Sequence, residues 1–206
     1  LVGSDGETHQ GIFDLSYLSS IPNMTVMAPK NKWELSDMMK FAVRYDGPIA
    51  LRYPRGEAYD GLSRFRLPIE YGKWETIYDE NEIALLAVGS MVKTAVEVRD
   101  RLRQMGYGCT LVNARFVKPL DQEAIRTLQA EHQLLVTMEE NVKSGGFGEA
   151  VLEYLNEIKS QTRAMVIALP DDYVEHGNVD LLKQECGIDA ESIIKKIVIE
   201  YIGLTK

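Results

Sequence analysis

The feature that most constrains the fold is a regular alternation of short apolar runs and amphipathic segments after residue 80. Four runs suit buried strands, at 83–88, 109–113, 134–138 and 165–169. Segments with helical spacing lie between and after them, at 92–105, 122–131, 146–160, 178–186 and 190–202. Strands that alternate with helices form a parallel sheet covered on both faces, so the sequence predicts a doubly wound α/β domain over residues 79–206.

The first part of the chain repeats this alternation on a smaller scale. A short helix is predicted near 12–18 and strands at 24–28 and 49–53, which indicates the end of a parallel-sheet domain. Between the strands, Asn31 and Glu34 have the spacing of a helix-capping pair.

A loss of periodicity separates the two parts. It predicts three segments, at 1–57, 58–78 (a linker and an edge strand) and 79–206. Because the strand–helix series is complete only in the last segment, we expect 79–206 to fold as an independent unit that holds residues 1–57 by packing. The chain starts with Leu in the middle of a motif, which favours a piece of a longer polypeptide.

Composition excludes several classes of function. The net charge is −8 without a basic patch, which argues against nucleic acid or an anionic membrane as partner. No apolar run approaches the ~20 residues of a membrane span. Cys109 and Cys186 are interpreted as packing residues in a reducing cytoplasm, and no His or Cys lies at metal-ligand spacing.

Two stretches have the character of a binding site. Gly3, Gly6 and Gly11 break regular structure around Asp5 and His9, which favours a functional loop, although Asp-Gly is equally an ordinary turn and a lone His is often solvated.

Arg52 and Arg55 follow the predicted strand at 49–53, where open α/β sheets bind ligands. Arg55 is therefore interpreted as an anion-binding residue, with phosphate as the matching group, whereas Arg52 fits an anion site or an ion pair equally.

Further polar residues follow the predicted strand at 134–138. Adjacent Glu139 and Glu140 point to opposite faces, which favours capping or interface roles over a catalytic pair. The glycines of 145–148 favour close helix–sheet packing over phosphate binding. His132 is expected to be solvated and His176 to reach a neighbouring domain.

Several stretches together have a family likeness. They are Gly-Ser-Asp-Gly-Glu-Thr-His-Gln-Gly (3–11), Phe-Asp-Leu-Ser-Tyr-Leu (13–18), Arg-Tyr-Pro-Arg-Gly (52–56), Arg-Phe-Val-Lys-Pro-Leu-Asp (115–121), Glu-Glu-Asn (139–141), Gly-Gly-Phe-Gly (145–148) and Leu-Pro-Asp (169–171). With them the chain resembles the transketolase-type thiamine diphosphate enzymes, most closely the 1-deoxy-D-xylulose 5-phosphate synthase family.

The resemblance implies the later part of a pyrimidine-binding domain followed by a transketolase C-terminal domain. It implies that Asp5 and His9 face the reacting carbons of the acceptor and that Arg55 holds the phosphate of glyceraldehyde 3-phosphate. The implied reaction joins that aldehyde to pyruvate with loss of CO2, the first step of non-mevalonate isoprenoid synthesis and a source for thiamine and pyridoxal.

The resemblance also implies a homodimer that uses thiamine diphosphate and Mg²⁺. These are held mainly by residues absent from this chain, so we expect the chain alone to be inactive. Two alternatives stay open from the sequence. One is the small chain of a split transketolase or a 2-oxo-acid dehydrogenase β-type subunit, and the other is a non-catalytic dimerisation module.

Overall fold

The computed structural model describes residues 1–204, which form an α/β protein with two sheets. The helices are α1 (Asp14–Ser19), α2 (Lys32–Arg44), α3 (Met91–Gln104), α4 (Gln122–Glu131), α5 (Phe147–Glu157), α6 (Val179–Glu185) and α7 (Ala190–Leu204). The strands are β1 (Thr25–Met27), β2 (Ile49–Leu51), β3 (Glu75–Tyr78), β4 (Glu82–Ala87), β5 (Cys109–Asn113), β6 (Phe116–Lys118), β7 (His132–Val142) and β8 (Arg163–Leu169). Within residues 1–204, no helix is long and apolar enough to cross a membrane.

The larger sheet has the predicted doubly wound character. Its strand order is β3–β5–β4–β7–β8. Four of these strands run parallel, and β3 pairs antiparallel with β5 at one edge. The predicted α/β fold class is therefore confirmed, including an edge strand just before residue 79.

Both faces of this sheet are buried, because successive residues of a strand point to opposite sides. Ile83 and Leu85 of β4 pack in a core with Val92 of α3 and Ile193 of α7. The intervening Leu86 lies in a second core with residues of α4 and α5. Burial on both faces explains why the central strands are continuous apolar runs.

The smaller sheet joins the two parts of the chain. Its order is β2–β1–β6, with β1 and β2 parallel and β6 antiparallel to β1. The sequence interpretation did not include β6, whose three residues are too few to show a period. Because β6 lies in the second part of the chain, that part supplies one neighbour of the central strand β1.

The second core also crosses between the two parts. Val26 and Met27 of β1 and Met38 of α2 are fully buried there, in one cluster with Phe116 of β6 and Phe147 of α5. Residues 1–57 therefore pack on the second part through shared apolar side chains as well as through the strand pair.

A buried charge network lies at the same boundary. Lys30 Nζ donates to Glu34 Oε1 at 3.0 Å and to Glu75 Oε2 at 2.6 Å, and all three side chains are almost fully buried. Asn113 Nδ2 donates to Glu34 Oε1 at 2.8 Å. The Lys30 ammonium thus pairs with two carboxylates, one from α2 and one from β3, and Arg115 Nη1 lies 3.7 Å from Glu34 Oε1 as a second buried cation.

Replacing Lys30 with Met should destabilise the fold strongly. Both carboxylates would stay buried without their ammonium, and breaking a buried ion pair costs about 3–5 kcal/mol. The free energy of unfolding, measured by urea denaturation, should fall by that amount.

The exposed pair of Lys40 Nζ and Asp37 Oδ1, at 3.1 Å, provides the control for this prediction. Lys40→Met should cost less than about 1 kcal/mol, as exposed ion pairs do. Equal losses for the two variants would show that the Lys30 network contributes no more than a surface pair.

Candidate functional site

The loop that carries Asp5 and His9 takes its shape from glycine and from the second part of the chain. Gly3 (φ 62°) and Gly6 (φ 63°) have left-handed backbone conformations that side chains disfavour. The N–H of Gly177 donates to the carbonyl of Gly3 at 3.2 Å, and a Cβ on Gly3 would lie 3.1 Å from the Gly177 oxygen. The sequence therefore needs glycine here for both conformation and space.

The structure brings the three predicted site residues together. Arg55 forms an ion pair with the carboxylate of Asp5, while its own side chain stays 62% exposed. His9 and Arg55 line one cavity of about 190 Å³. His9 Nδ1 lies 2.8 Å from the hydroxyl of Thr8. The two loops that looked separate in sequence thus form one surface with an acid, an imidazole and a guanidinium.

Arg52 has a different environment, in which its side chain bonds backbone carbonyls, a contact that is neither the anion site nor the ion pair expected from the sequence. Its Nη2 donates to the carbonyl oxygen of Glu140 at 2.6 Å and to that of Gly11 at 3.4 Å. Arg52 lines the same cavity, together with Ser90 and Glu140 from the second part of the chain.

Glu139 has the capping role that its position predicted. Its carboxylate accepts the N–H groups of Phe147 at 2.8 Å and Gly148 at 2.7 Å, at the start of α5. The positive end of this helix is therefore occupied by the protein's own anion. A Cβ on Gly148 would lie 2.5 Å from Val166, which confirms that the glycine allows close helix–sheet packing.

Glu140, on the opposite face of β7, has an interface role. Its carboxylate contacts the nitrogen of Leu1, accepts a hydrogen bond from Ser90 Oγ at 3.2 Å and lies 3.1 Å from Lys183 Nζ. Beside it, Asn141 Oδ1 accepts the N–H of Leu15 at 3.1 Å. The end of β7 thus ties the first sixteen residues to the second part.

The two adjacent carboxylates have opposite pKa shifts. Burial raises the pKa of Glu139 to about 7, although the N–H donors of Gly148 and Phe147 oppose the rise. Burial alone would also raise the pKa of Glu140, but the cations of Lys183 and Arg52 lower it. Charged partners therefore decide the difference, because both groups are almost fully buried.

The remaining candidates lie away from the cavity. The prediction for His132 was wrong: it is buried at the start of β7, with Nδ1 2.9 Å from the Leu128 oxygen and Nε2 2.8 Å from Thr110 Oγ1. His176 is exposed beside Gly6, so it does reach the first part of the chain. Cys109 is a buried free thiol, as predicted, and burial raises its pKa to about 12.

Comparison with known proteins identifies both parts of the chain. Residues 1–60 match the family described as transketolase, pyrimidine binding domain, and residues 72–193 match that described as transketolase, C-terminal domain. The chain belongs to the transketolase family.

Individual relatives refine this result. A 1-deoxy-D-xylulose-5-phosphate synthase of Lachnoclostridium phytofermentans is 55% identical over 96% of this chain, and one of Clostridium acetobutylicum is 42% identical over 96%. The chain spans 32% of the length of each.

Solved transketolases share the fold. A structure titled as a split gene transketolase, inactive beta4 tetramer, superposes with a TM-score of 0.81 at 24% identity, over 97% of this chain and 64% of that one. Transketolase from Campylobacter jejuni gives 0.74 at 21% identity, over 96% of this chain and 29% of that one.

Replacing Glu139 with Gln should change how stability depends on pH. The pKa of Glu139 is higher in the folded chain, about 7 against 4.5, so the folded state binds more protons between these values. The contribution of this raised pKa to the free energy of unfolding is present at low pH and is lost as pH rises through about 7, a change of about 3 kcal/mol. The free energy of unfolding of Glu139→Gln, relative to that of wild type, should therefore rise by that amount between pH 4.5 and pH 7.5.

Urea denaturation across this pH range measures the difference. Glu153→Gln, on an exposed part of α5, is the matched control and should leave the pH dependence as in wild type. Parallel curves for wild type and Glu139→Gln would contradict a raised pKa for this carboxyl group.

Proposed function

We propose that this chain supplies the acceptor-binding part of an enzyme that joins pyruvate, with loss of CO2, to glyceraldehyde 3-phosphate and forms 1-deoxy-D-xylulose 5-phosphate. The observation that carries the proposal is the convergence of Asp5, His9 and Arg55 on one surface. The identity to the synthases supports the choice of reaction. In this proposal the product serves isoprenoid precursor, thiamine and pyridoxal synthesis.

Arg55 is assigned to the phosphate of the aldehyde. Its guanidinium has five N–H donors, so the ion pair with Asp5 leaves donors for a second anion. Its exposed position allows a ligand to approach without opening the core. A planar fork of donors also matches phosphate oxygens in pairs, which a lysine does not.

His9 and Asp5 are assigned to the reacting end of the acceptor. As the new carbon–carbon bond forms, the aldehyde oxygen gains negative charge, and the His9 ring donates a hydrogen bond or a proton to it. Asp5 accepts a hydrogen bond from an acceptor hydroxyl and holds the aldehyde in line. The Thr8 hydroxyl beside Nδ1 limits the rotation of the His9 ring.

In this proposal, thiamine diphosphate and Mg²⁺ are held mainly by residues that this chain does not contain. Residues 1–204 contain no group of three or more His, Cys, Asp or Glu that could hold a metal ion. The cavity at His9 has a volume of about 190 Å³. The roles assigned to residues of this chain concern the acceptor alone.

One alternative has an observation in its favour. The similarity to a split transketolase allows a separate small chain of a two-chain enzyme. The intact mass of the cellular protein separates the two proposals. A species of about this length would favour the two-chain enzyme, and one of the synthases' length would favour the single-chain synthase.

The proposal also includes assembly as a homodimer in the cytoplasm.

Arg55→Ala should impair use of the phosphorylated aldehyde selectively. Loss of a hydrogen bond to a charged group costs about 1.5–3 kcal/mol, which is about tenfold to a hundredfold in affinity. In a protein of the synthases' length that carries this sequence, KM for glyceraldehyde 3-phosphate should rise by that factor. KM for pyruvate and the use of unphosphorylated glyceraldehyde should change little.

Arg44→Ala, which removes an exposed arginine at the end of α2, is the control and should leave all three values unchanged. Equal losses with the phosphorylated and the unphosphorylated aldehyde in Arg55→Ala would overturn the phosphate assignment.

His9→Ala should lower kcat with both aldehydes, because the oxygen that it contacts is common to both. Steady-state kinetics with each acceptor measures the effect. If His9→Ala raised KM for the phosphorylated acceptor and left kcat unchanged, His9 would be a substrate-binding residue instead.

A further inference from the structure

Arg52 stands where β2 ends, and the structure holds it from both sides. Its backbone N–H donates to the carbonyl of Met27 in β1 at 2.8 Å. Its Nη2 donates to the carbonyls of Glu140, at 2.6 Å, and Gly11, at 3.4 Å. One side chain therefore contacts the loop before α1 and the end of β7 at the same time.

These contacts lie close to the proposed acceptor residues along the chain. Gly11 follows His9 by two residues, and Arg52 precedes Arg55 by three. A shift of the Arg52 guanidinium thus moves the base of both loops that converge on the cavity.

The end of β7 is a firm support for such a contact. The N–H of Val142 donates to the carbonyl of Ile12 at 2.8 Å, directly beside Gly11. The carboxylate of Glu140 is held by Lys183 Nζ at 3.1 Å and by the Ser90 hydroxyl at 3.2 Å. Glu140 is 3% exposed, so solvent does not compete for these bonds.

The surroundings of Arg52 do not suit a phosphate ligand. The nitrogen Nη2 is committed to two carbonyl oxygens, and Arg52 interacts electrostatically with the buried carboxylates of Glu139 and Glu140. A phosphate dianion at this point would approach two carboxylates. Arg55, which is largely exposed, has no such neighbours except Asp5 among the ion pairs of the described residues.

We infer that Arg52 is a positioning residue, through which the second part of the chain fixes the His9 and Arg55 loops in register for the acceptor. This inference rests on the proposed function for its kinetic consequences, but not for its geometry. It gives the transketolase C-terminal part a role in positioning the acceptor residues, beyond packing.

Kinetics with two acceptors tests the inference. In a protein of the synthases' length, Arg52→Met should lower kcat/KM for glyceraldehyde 3-phosphate and for glyceraldehyde by a similar factor, about tenfold to a hundredfold, since it removes hydrogen bonds from a charged donor. A loss confined to the phosphorylated acceptor would make Arg52 a phosphate ligand and overturn the inference. No loss with either acceptor would overturn it as well.

Two matched variants separate positioning from stability. Lys183→Met removes a cation from the Glu140 carboxylate but leaves the Arg52 hydrogen bonds to the Glu140 and Gly11 carbonyls in place, so it should lower the melting temperature but not kcat/KM of the folded enzyme. Arg52→Lys keeps the charge and should recover part of the lost activity, and it replaces Arg52→Met if that variant does not fold. If Lys183→Met and Arg52→Met lost activity equally, the role of Arg52 would be structural only.

Hydrogen exchange on the chain itself tests the geometry without any activity. The N–H of His9 donates to the carbonyl of Gly6 at 3.2 Å, so its exchange reports on loop order. The His9 N–H should exchange about tenfold faster in Arg52→Met, because the loop loses the stabilisation of about one net hydrogen bond. In Lys183→Met it should exchange at the wild-type rate. Unchanged exchange in Arg52→Met would overturn the inference, whereas an inactive wild-type protein with the expected exchange would overturn the proposed function alone.

Discussion

The polar end of β7 is the constraint on which the arrangement of this chain depends. A strand buried along almost its whole length ends in Glu139, Glu140 and Asn141, all of them almost inaccessible to solvent. Buried polar groups are costly unless they are paired, so each needs partners from elsewhere in the chain. Glu139 finds its donors in α5, and the Glu140 carboxylate is paired with Ser90 and Lys183 of the second part. The backbone carbonyl of Glu140 and the side chain of Asn141 accept hydrogen bonds from Arg52 and Leu15 of the first part. Satisfying this segment therefore brings the two parts together at the candidate site.

Two adjacent glutamates illustrate how environment determines chemistry. Glu139 accepts two backbone N–H groups without a direct cation, while Glu140 lies beside Lys183. The pKa of Glu139 rises to about 7, whereas that of Glu140 is lowered. Neither carboxylate is assigned to the reaction.

Strong local periodicity made much of the fold predictable. Helix α4 and strand β5 have the bounds predicted from the sequence, because regular apolar spacing and a well-placed cap act over a few residues. Asn31 caps α2 as expected, with its side chain accepting the N–H of Glu34 at 2.9 Å. The convergence of Asp5, His9 and Arg55 was expected only from the family resemblance, since no local pattern joins residues fifty positions apart.

The missed features all depend on distant partners. Glu34 was interpreted only as part of a cap, yet its carboxylate is buried with Lys30 and Glu75. Strand β6 forms because β1 lies beside it. His132 is buried because its ring shares a hydrogen bond with Thr110 of β5, which lies two strands away in the larger sheet. A charged or polar residue in an otherwise apolar run, as at the end of β7, is the signal that could have indicated such partners.

The central claim is that the second part of the chain holds the first in shape. Native-state hydrogen exchange tests it most directly, by comparing the amides of Thr25 and Ala28, which donate to Pro48 and Arg115, with those of Leu85 and Val136 in the larger sheet. The account predicts clear protection for Thr25 and Ala28, but exchange faster than at Leu85 and Val136, because the first part can open while the second stays folded. Unprotected Thr25 and Ala28, or exchange as slow as in β4 and β7, would contradict it.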